Sequence, residues 1–258
     1  MPLGYVKKGG RKMATTLDKI RIKILESDCD VINAICDTLN FLANPDDQNG
    51  FKFDIKDECL TISIYRCRNS FSSFEVTLKT AALDEKILAM NALFRKCVPK
   101  FEYDNNELVI SLDPSYHMPN IPEHKDCALK EKTSTIIALR KPFPMLTSIA
   151  NLFNLVKIKK VLTINQHLLS ISAIGHDIAL NAKFHVLRPN GNMNLPAFCS
   201  KFNYLSALGL ADFDFKVLKL EQSAELFQIT VFVPEDEERR KKYNETIELL
   251  GSISSFNE

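Results

Sequence analysis

The residue types that carry most protein chemistry are present in this chain, but scattered. Its 258 residues include five histidines and seven cysteines. His117, His124, His167, His176 and His185 form no HExxH, and none stands beside a cysteine at zinc-ligand spacing. Cys29, Cys36, Cys59, Cys67, Cys97, Cys127 and Cys199 contain no CxxC and are odd in number, so they read as ordinary thiols of a reducing compartment. Asp46-Asp47 and Glu235-Asp236-Glu237 have the composition for acid–base work, yet both lie in polar segments where solvated charge explains them. There is no GxGxxG, Walker or GxSxG sequence, and eight glycines leave little for a loop that cradles phosphate. The sequence therefore predicts no catalytic residue, no metal site, no cofactor and no enzyme.

Hydrophobic residues make up 45% of the chain and charged residues 25%, the balance of a globular protein with a sizeable core. A net charge of +1 demands no nucleic-acid partner, so any DNA-facing charge has to be local. No stretch approaches the roughly 20 apolar residues of a membrane span, and no signal-peptide core follows the N-terminus. No membrane partner is expected. Residues 1–16, with Lys7, Lys8, Arg11 and Lys12, read as a flexible basic arm. A solvated tail ahead of Met13 explains it, and so does an arm for nuclear import or phosphate contact.

The elements that would position any site recur twice. From Ile20, IRIKIL alternates like a strand. DCDVINAICDTLNFLA follows, with Val31, Ile32, Ile35, Leu39 and Leu42 at helical spacing behind a Ser27 or Asp28 cap. After a PDDQNG turn, FKFDI, CLTISIY and SFEVTL read as strands. From Ser134 the order returns: STIIAL, the helix FPMLTSIANLFNLV, then KKVLTI, LLSIS and ALNAKFHVL. Ile35 falls against Ile149, Leu60 against Leu169, and Phe74-Glu75-Val76 against Phe184-His185-Val186. Each half adds a second helix, LDEKILAMNALFRKC or LPAFCSKFNYLSALGL, and a hairpin, the first turning at Asn105 and Asn106. The expected fold is α+β, two duplicated domains of antiparallel sheets backed by two helices each. The boundaries read as 17–112 for domain 1, 113–132 for a Pro-rich connector, 133–234 for domain 2 and 235–258 for a charged C-terminal tail. The tail is helix-compatible, with Glu237–Lys241 and Glu238–Lys242 at i,i+4, and either covers a surface or projects into solvent.

Four features resemble the DNA sliding clamp family across roughly residues 17 to 236. They are Ile121-Pro122-Glu123 in the connector, SISAIGHDIALNAKFHV from Ser170 to Val186, Lys96-Cys97 closing a helix, and a final strand ending at Val233-Pro234 before acidic residues. The resemblance implies a polymerase processivity factor in which three subunits close head to tail around duplex DNA. It implies Lys86, Arg95, Lys96 and Lys201 as loose phosphate contacts lining the hole, although residue type and position alone favour an ordinary solvated helix face for each. It implies a partner-peptide pocket from Met118, Ile121, Pro122, Val233 and Pro234, floored by Tyr65 and Phe71. Ring closure would pair the edge strands 107–112 and 179–186, through Glu107, Leu108, Val109 and Ile110 against Asn181, Ala182, Lys183 and Phe184. The implied partners are DNA polymerase, other proteins carrying a clamp-binding peptide and a clamp loader, in replication and repair at a nuclear or viral replication site. One departure is that the first helix carries Asp28, Asp30 and Asp37 and no Lys or Arg. A homotrimeric replication clamp is the leading expectation; a subunit of a heterotrimeric checkpoint-type clamp comes next, given weight by that departure, and a monomeric clamp-fold scaffold that binds proteins comes third.

Overall fold

The computed structural model describes residues 19–43, 49–66, 73–82, 87–88, 91, 98–113, 132–138, 146–165, 167–186, 194–219 and 225–251. Its elements run β1 (Lys19–Lys23), α1 (Cys29–Leu42), β2 (Asn49–Lys56), β3 (Cys59–Arg66), β4 (Ser73–Lys79), β5 (Val98–Asp104) and β6 (Glu107–Asp113). After the connector come β7 (Lys132–Ala138), α2 (Leu146–Leu155), β8 (Lys160–Asn165), β9 (Leu168–Ile174), β10 (Ile178–His185), α3 (Leu195–Ala207), β11 (Asp212–Lys219), β12 (Glu225–Phe232) and α4 (Glu237–Leu250). The fold is α+β with antiparallel sheets, as the alternation predicts. Ile87, Leu88 and Asn91 are helical; the rest of the helix expected around them lies outside the described residues.

Local chemistry explains the boundaries. Asp28, not Ser27, caps α1, its carboxylate accepting from the backbone N–H of Asp30 and Val31. The β5–β6 turn places Asn105 and Asn106 at φ +52° and +63°, the left-handed geometry that matches the twist of a two-residue hairpin. Asp57 and Glu58 do the same between β2 and β3, at φ +50° and +60°.

The described strands form three sheets, ordered β1-β6-β5, β2-β3-β4-β10-β9-β8 and β11-β12-β7. Each three-stranded sheet has its hairpin joined to the strand that opens its half. The six-stranded sheet is made by like strands of the two halves, β4 and β10, pairing antiparallel with Glu75 opposite Asn181. One face of it is core: Phe53, Leu60, Ile62, Phe74, Val76, Leu180, Phe184 and Ile171 are buried. The outer face is polar and cross-linked, Ser63 donating to Glu75, Asn181 to Glu75 and Ser170 to Asn181 across four strands. The register corrects one expectation. Leu60 sits opposite Leu78 and Leu169 opposite Phe184, so Phe184 stands where the first half has Leu78, not Phe74. The β9–β10 turn is shorter than the β3–β4 connection, and that slides the strand along.

Four asparagines hold edge strands in one recurring way. Asn40 of α1 donates to Phe101 O (2.8 Å) and accepts from Phe101 N–H (2.7 Å) on β5. Asn154 of α2 makes the same two bonds, both 2.8 Å, with Phe215 on β11, and both pairs are 61 residues apart. Asn91 grips Phe53 on β2, and Asn203 of α3 grips Leu162 on β8. Each carboxamide offers one donor and one acceptor to a strand whose outer N–H and C=O would otherwise be unpaired. These latches blunt four sheet edges against further strand addition.

Candidate binding surfaces

The only described member of the expected phosphate-contacting set is Lys201, on α3; Lys86, Arg95 and Lys96 lie outside the described residues. Asn194 caps α3 by accepting from Ala197 N–H, and Leu195, Phe198, Cys199, Phe202 and Leu205 face the core. Lys201 therefore falls on the outward side, as expected, but its Nζ donates to Gly251 O at 2.9 Å. That carbonyl ends α4. At the other end of α3, Gly209 (φ +60°) turns the chain, and Arg239 of α4 donates to Gly209 O from Nε (3.1 Å) and Nη2 (2.6 Å). Each helix thus has its C-terminal carbonyl end capped by a cation of the other, and Tyr243 of α4 is buried in the core. Of the two expectations for the tail, residues 237–250 follow the first and cover a surface.

The α1 side of the molecule is acidic. Asp30 and Asp37 are exposed, and burial of its surroundings holds the Asp37 carboxyl above its ordinary value. Beside them lies a shallow cleft of roughly 490 Å³, reached by Lys19, Arg21, Asp37, Lys100, Glu102 and Asp104 among others. Two of its cations are engaged: Arg21 pairs with Asp104 (3.1 Å) and Glu107 (3.2 Å), and Lys100 with Glu102 (2.8 Å). Burial pushes the Cys36 thiol there up to about 12, and Cys199 up to about 11, so neither is a thiolate at neutral pH. Among the described residues no group of three or more His, Cys, Asp or Glu is arranged to hold a metal ion. No helix among them is long and apolar enough to cross a membrane.

For the partner-peptide pocket, Phe71, Met118, Ile121 and Pro122 lie outside the described residues. Tyr65 is not in the core. It stands 45% exposed on the outer face of β3, its ring lying across Gly50 so closely that a Cβ there would meet it at 2.5 Å. Val233 packs partly buried against the core and Pro234 is buried, between β12 and α4. The pocket residues that can be placed thus divide between solvent and core.

The ring-closure strands need correction. Neither is an edge. Strand β6, with Glu107, Leu108, Val109 and Ile110, is paired on both sides, by β1 and β5. Strand β10, with Asn181, Ala182, Lys183 and Phe184, is paired by β4 and β9. Their backbone groups are consumed within the chain, so neither offers a free ladder to a second copy. Alternating apolar residues locate strands and their buried faces, but not which strand of a sheet is outermost.

No family model matches the chain, and no curated protein matches it. Among solved structures, it is similar to proliferating cell nuclear antigen from Entamoeba histolytica, at 10% identity over 85% of this chain and 99% of that one, with a TM-score of 0.19.

Proposed function

We propose that this chain is a non-enzymatic clamp-type scaffold that tethers DNA-acting proteins, DNA polymerase among them, at duplex DNA. In this reading residues 17–112 and 133–234 are two duplicated clamp domains and 113–132 is the connector that receives partner peptides. The observation that carries it is the repetition of β-α-β-β-β followed by a helix and a hairpin, with asparagine latches at matching places in both halves. The clamp-like sequence features, taken together in their order and spacing, supply the partner class.

The β4–β10 pairing joins the two halves in one sheet within a single chain, so any ring would have to close through other strands, such as the outer strands β1, β5, β7 and β11. The acidic α1 face fits a monomeric scaffold, because it offers phosphates no attraction.

Light scattering over a concentration series comes first, then capture by a clamp-binding peptide and retention on circular duplex DNA. A mass of 29.3 kDa with peptide capture supports the monomeric scaffold. A mass near three times that, with protein lost when the circle is cut, establishes the ring, closed through strands other than β4 and β10. Capture by neither peptide nor duplex overturns the clamp-type reading. Imaging a tagged chain against sites of DNA synthesis tests the nuclear or viral replication location.

A further inference from the structure

We propose that α4 is a releasable strap whose last carbonyl occupies the phosphate-contacting position of Lys201, so that α3 meets nucleic acid only when α4 lifts. The proposal rests on the clamp-type reading for its ligand, duplex DNA, and on the α3–α4 geometry for everything else.

Lys201 Nζ lies 2.9 Å from Gly251 O, at the end of α4. Gly251 caps α4 with non-helical backbone, and its carbonyl oxygen, a hydrogen-bond acceptor with partial negative charge, holds the Lys201 ammonium as a phosphate oxygen would. Gly251, at φ +72°, turns the chain there, and a Cβ on it would stand 3.7 Å from the same Nζ. From Glu235 to Gly251 six carboxylates (Glu235, Asp236, Glu237, Glu238, Glu245 and Glu248) face four cations (Arg239, Arg240, Lys241 and Lys242). A segment of that balance does not attract DNA itself; it screens the lysine it covers.

The same helix is built to come off. Among its fourteen residues only Tyr243 is buried, and Leu249 is 88% exposed. Ile247 packs partly buried against the core, and polar ties lie at the surface, among them Arg239 to Gly209 O, a long 3.9 Å approach of Arg239 to Asp212, and Lys201 to Gly251 O. Surface contacts of this kind contribute little each and weaken with salt. Tyr243, the partly buried Ile247 and two polar caps therefore hold a helix that could not stand alone in water at this length.

The test uses the full chain and its Arg239→Ala, Tyr243→Ala, Lys201→Ala and Arg239→Ala/Lys201→Ala variants. Amide exchange over 237–250 and binding of a labelled blunt duplex at low salt are the readouts. Arg239→Ala should speed exchange in α4 and tighten duplex binding about threefold to tenfold, the opposite of what deleting a DNA-contacting arginine does. Adding Lys201→Ala should erase the gain. The proposal is overturned if α4 opens without a gain in binding, or if neither Arg239→Ala nor Tyr243→Ala opens it. It is equally overturned if Lys201→Ala alone weakens binding, since Lys201 would then be reachable beneath α4. Capture by a clamp-binding peptide does not involve Lys201, so it separates failure of the strap from failure of the scaffold reading.

Discussion

The two halves use the same latches but fill the space behind them differently. In the second half Phe215, held by Asn154, lies among three other rings: Phe153 at 6.2 Å, Phe202 at 6.2 Å and Phe227 at 5.8 Å. In the first half Phe101, held by Asn40, stacks on two, Phe51 at 6.1 Å and Phe53 at 6.3 Å. The backbone device is thus repeated where the packing is not. Hydrogen-bond partners of a strand edge are fixed by geometry, whereas an apolar volume can be filled by many combinations of side chains. The second half also carries α4, whose Arg239 caps α3. Among the described residues, the second half places more rings around its latched phenylalanine.

The largest test of that contrast is truncation of the two latched rings. Phe215→Ala should cost about 3–5 kcal/mol, and Phe101→Ala about 1 kcal/mol less because it forfeits fewer ring contacts. Urea midpoints at constant slope measure both. Equal losses, or a larger loss at Phe101, would break the comparison. Next come the latches. Asn154→Ala leaves an N–H and a C=O of β11 without their partners and should cost about 1–3 kcal/mol. Asn40→Ala should cost less, because Asn40 and Phe101 border the cleft beside α1, where water can replace the carboxamide. Identical losses would show that the cleft admits no useful water.

Much of this architecture was legible from alternation and helical spacing alone. The strands from Phe51 to Leu78 and the apolar stripe of α1 follow from side-chain period, because burial on one face imposes it. The correspondence of Ile35 with Ile149 and of Leu60 with Leu169 agrees with the latches. What the sequence could not show is which strands end up beside each other. Phe184 looks like Phe74 but aligns with Leu78, since only turn length sets the slide. The interior placement of β6 and β10 is a pairing fact with no local signature. The latches did leave one, Asn40 and Phe101 being separated by the same 61 residues as Asn154 and Phe215, but an isolated asparagine in a helix looks like any other polar surface residue. The expected phosphate contact at Lys201 is a like case: outward placement on a helix is predictable, and a distant carbonyl that accepts from its Nζ is not.

A smaller effect comes from a single inward position. Lys160 pairs with Ala173 as Phe51 pairs with Ile64, so a lysine stands in the second half where the first has a ring. Lys160 is buried, its Nζ donating to Val156 O at 2.9 Å, and burial lowers its pKa from 10.5, with Asp212 and Asp214 opposing. Between that lowered pKa and 10.5 the unfolded chain binds more protons than the folded one, so this group's contribution to stability rises with pH across the window. Lys160→Met removes the dependence. The stability of the variant relative to the native chain should therefore fall as pH goes from 7 to 10.5, read from urea midpoints at each pH. A difference that does not change with pH would mean that the charged amine is not what the second half tolerates there.

The smallest expected effect lies within the first half, in its two hairpin turns. Asn105-Asn106 and Asp57-Glu58 both adopt left-handed backbone. Asparagine tolerates that region because its short carboxamide bonds locally, whereas glutamate crowds its own carbonyl. Backbone bonds around the second turn, Thr80 N–H and Oγ1 both donating to Glu58 O at 2.9 Å, hold the strained geometry in place and do not depend on the side chain at 58. Glu58→Asn should therefore stabilise by about 0.5–1 kcal/mol with the fold unchanged. Asn106→Glu should lose a similar amount, because it moves the same strain to the other turn. If the two substitutions did not oppose each other in sign, backbone strain would not be what separates the two hairpins, and the cross-strand pairs beside them would have to carry the difference.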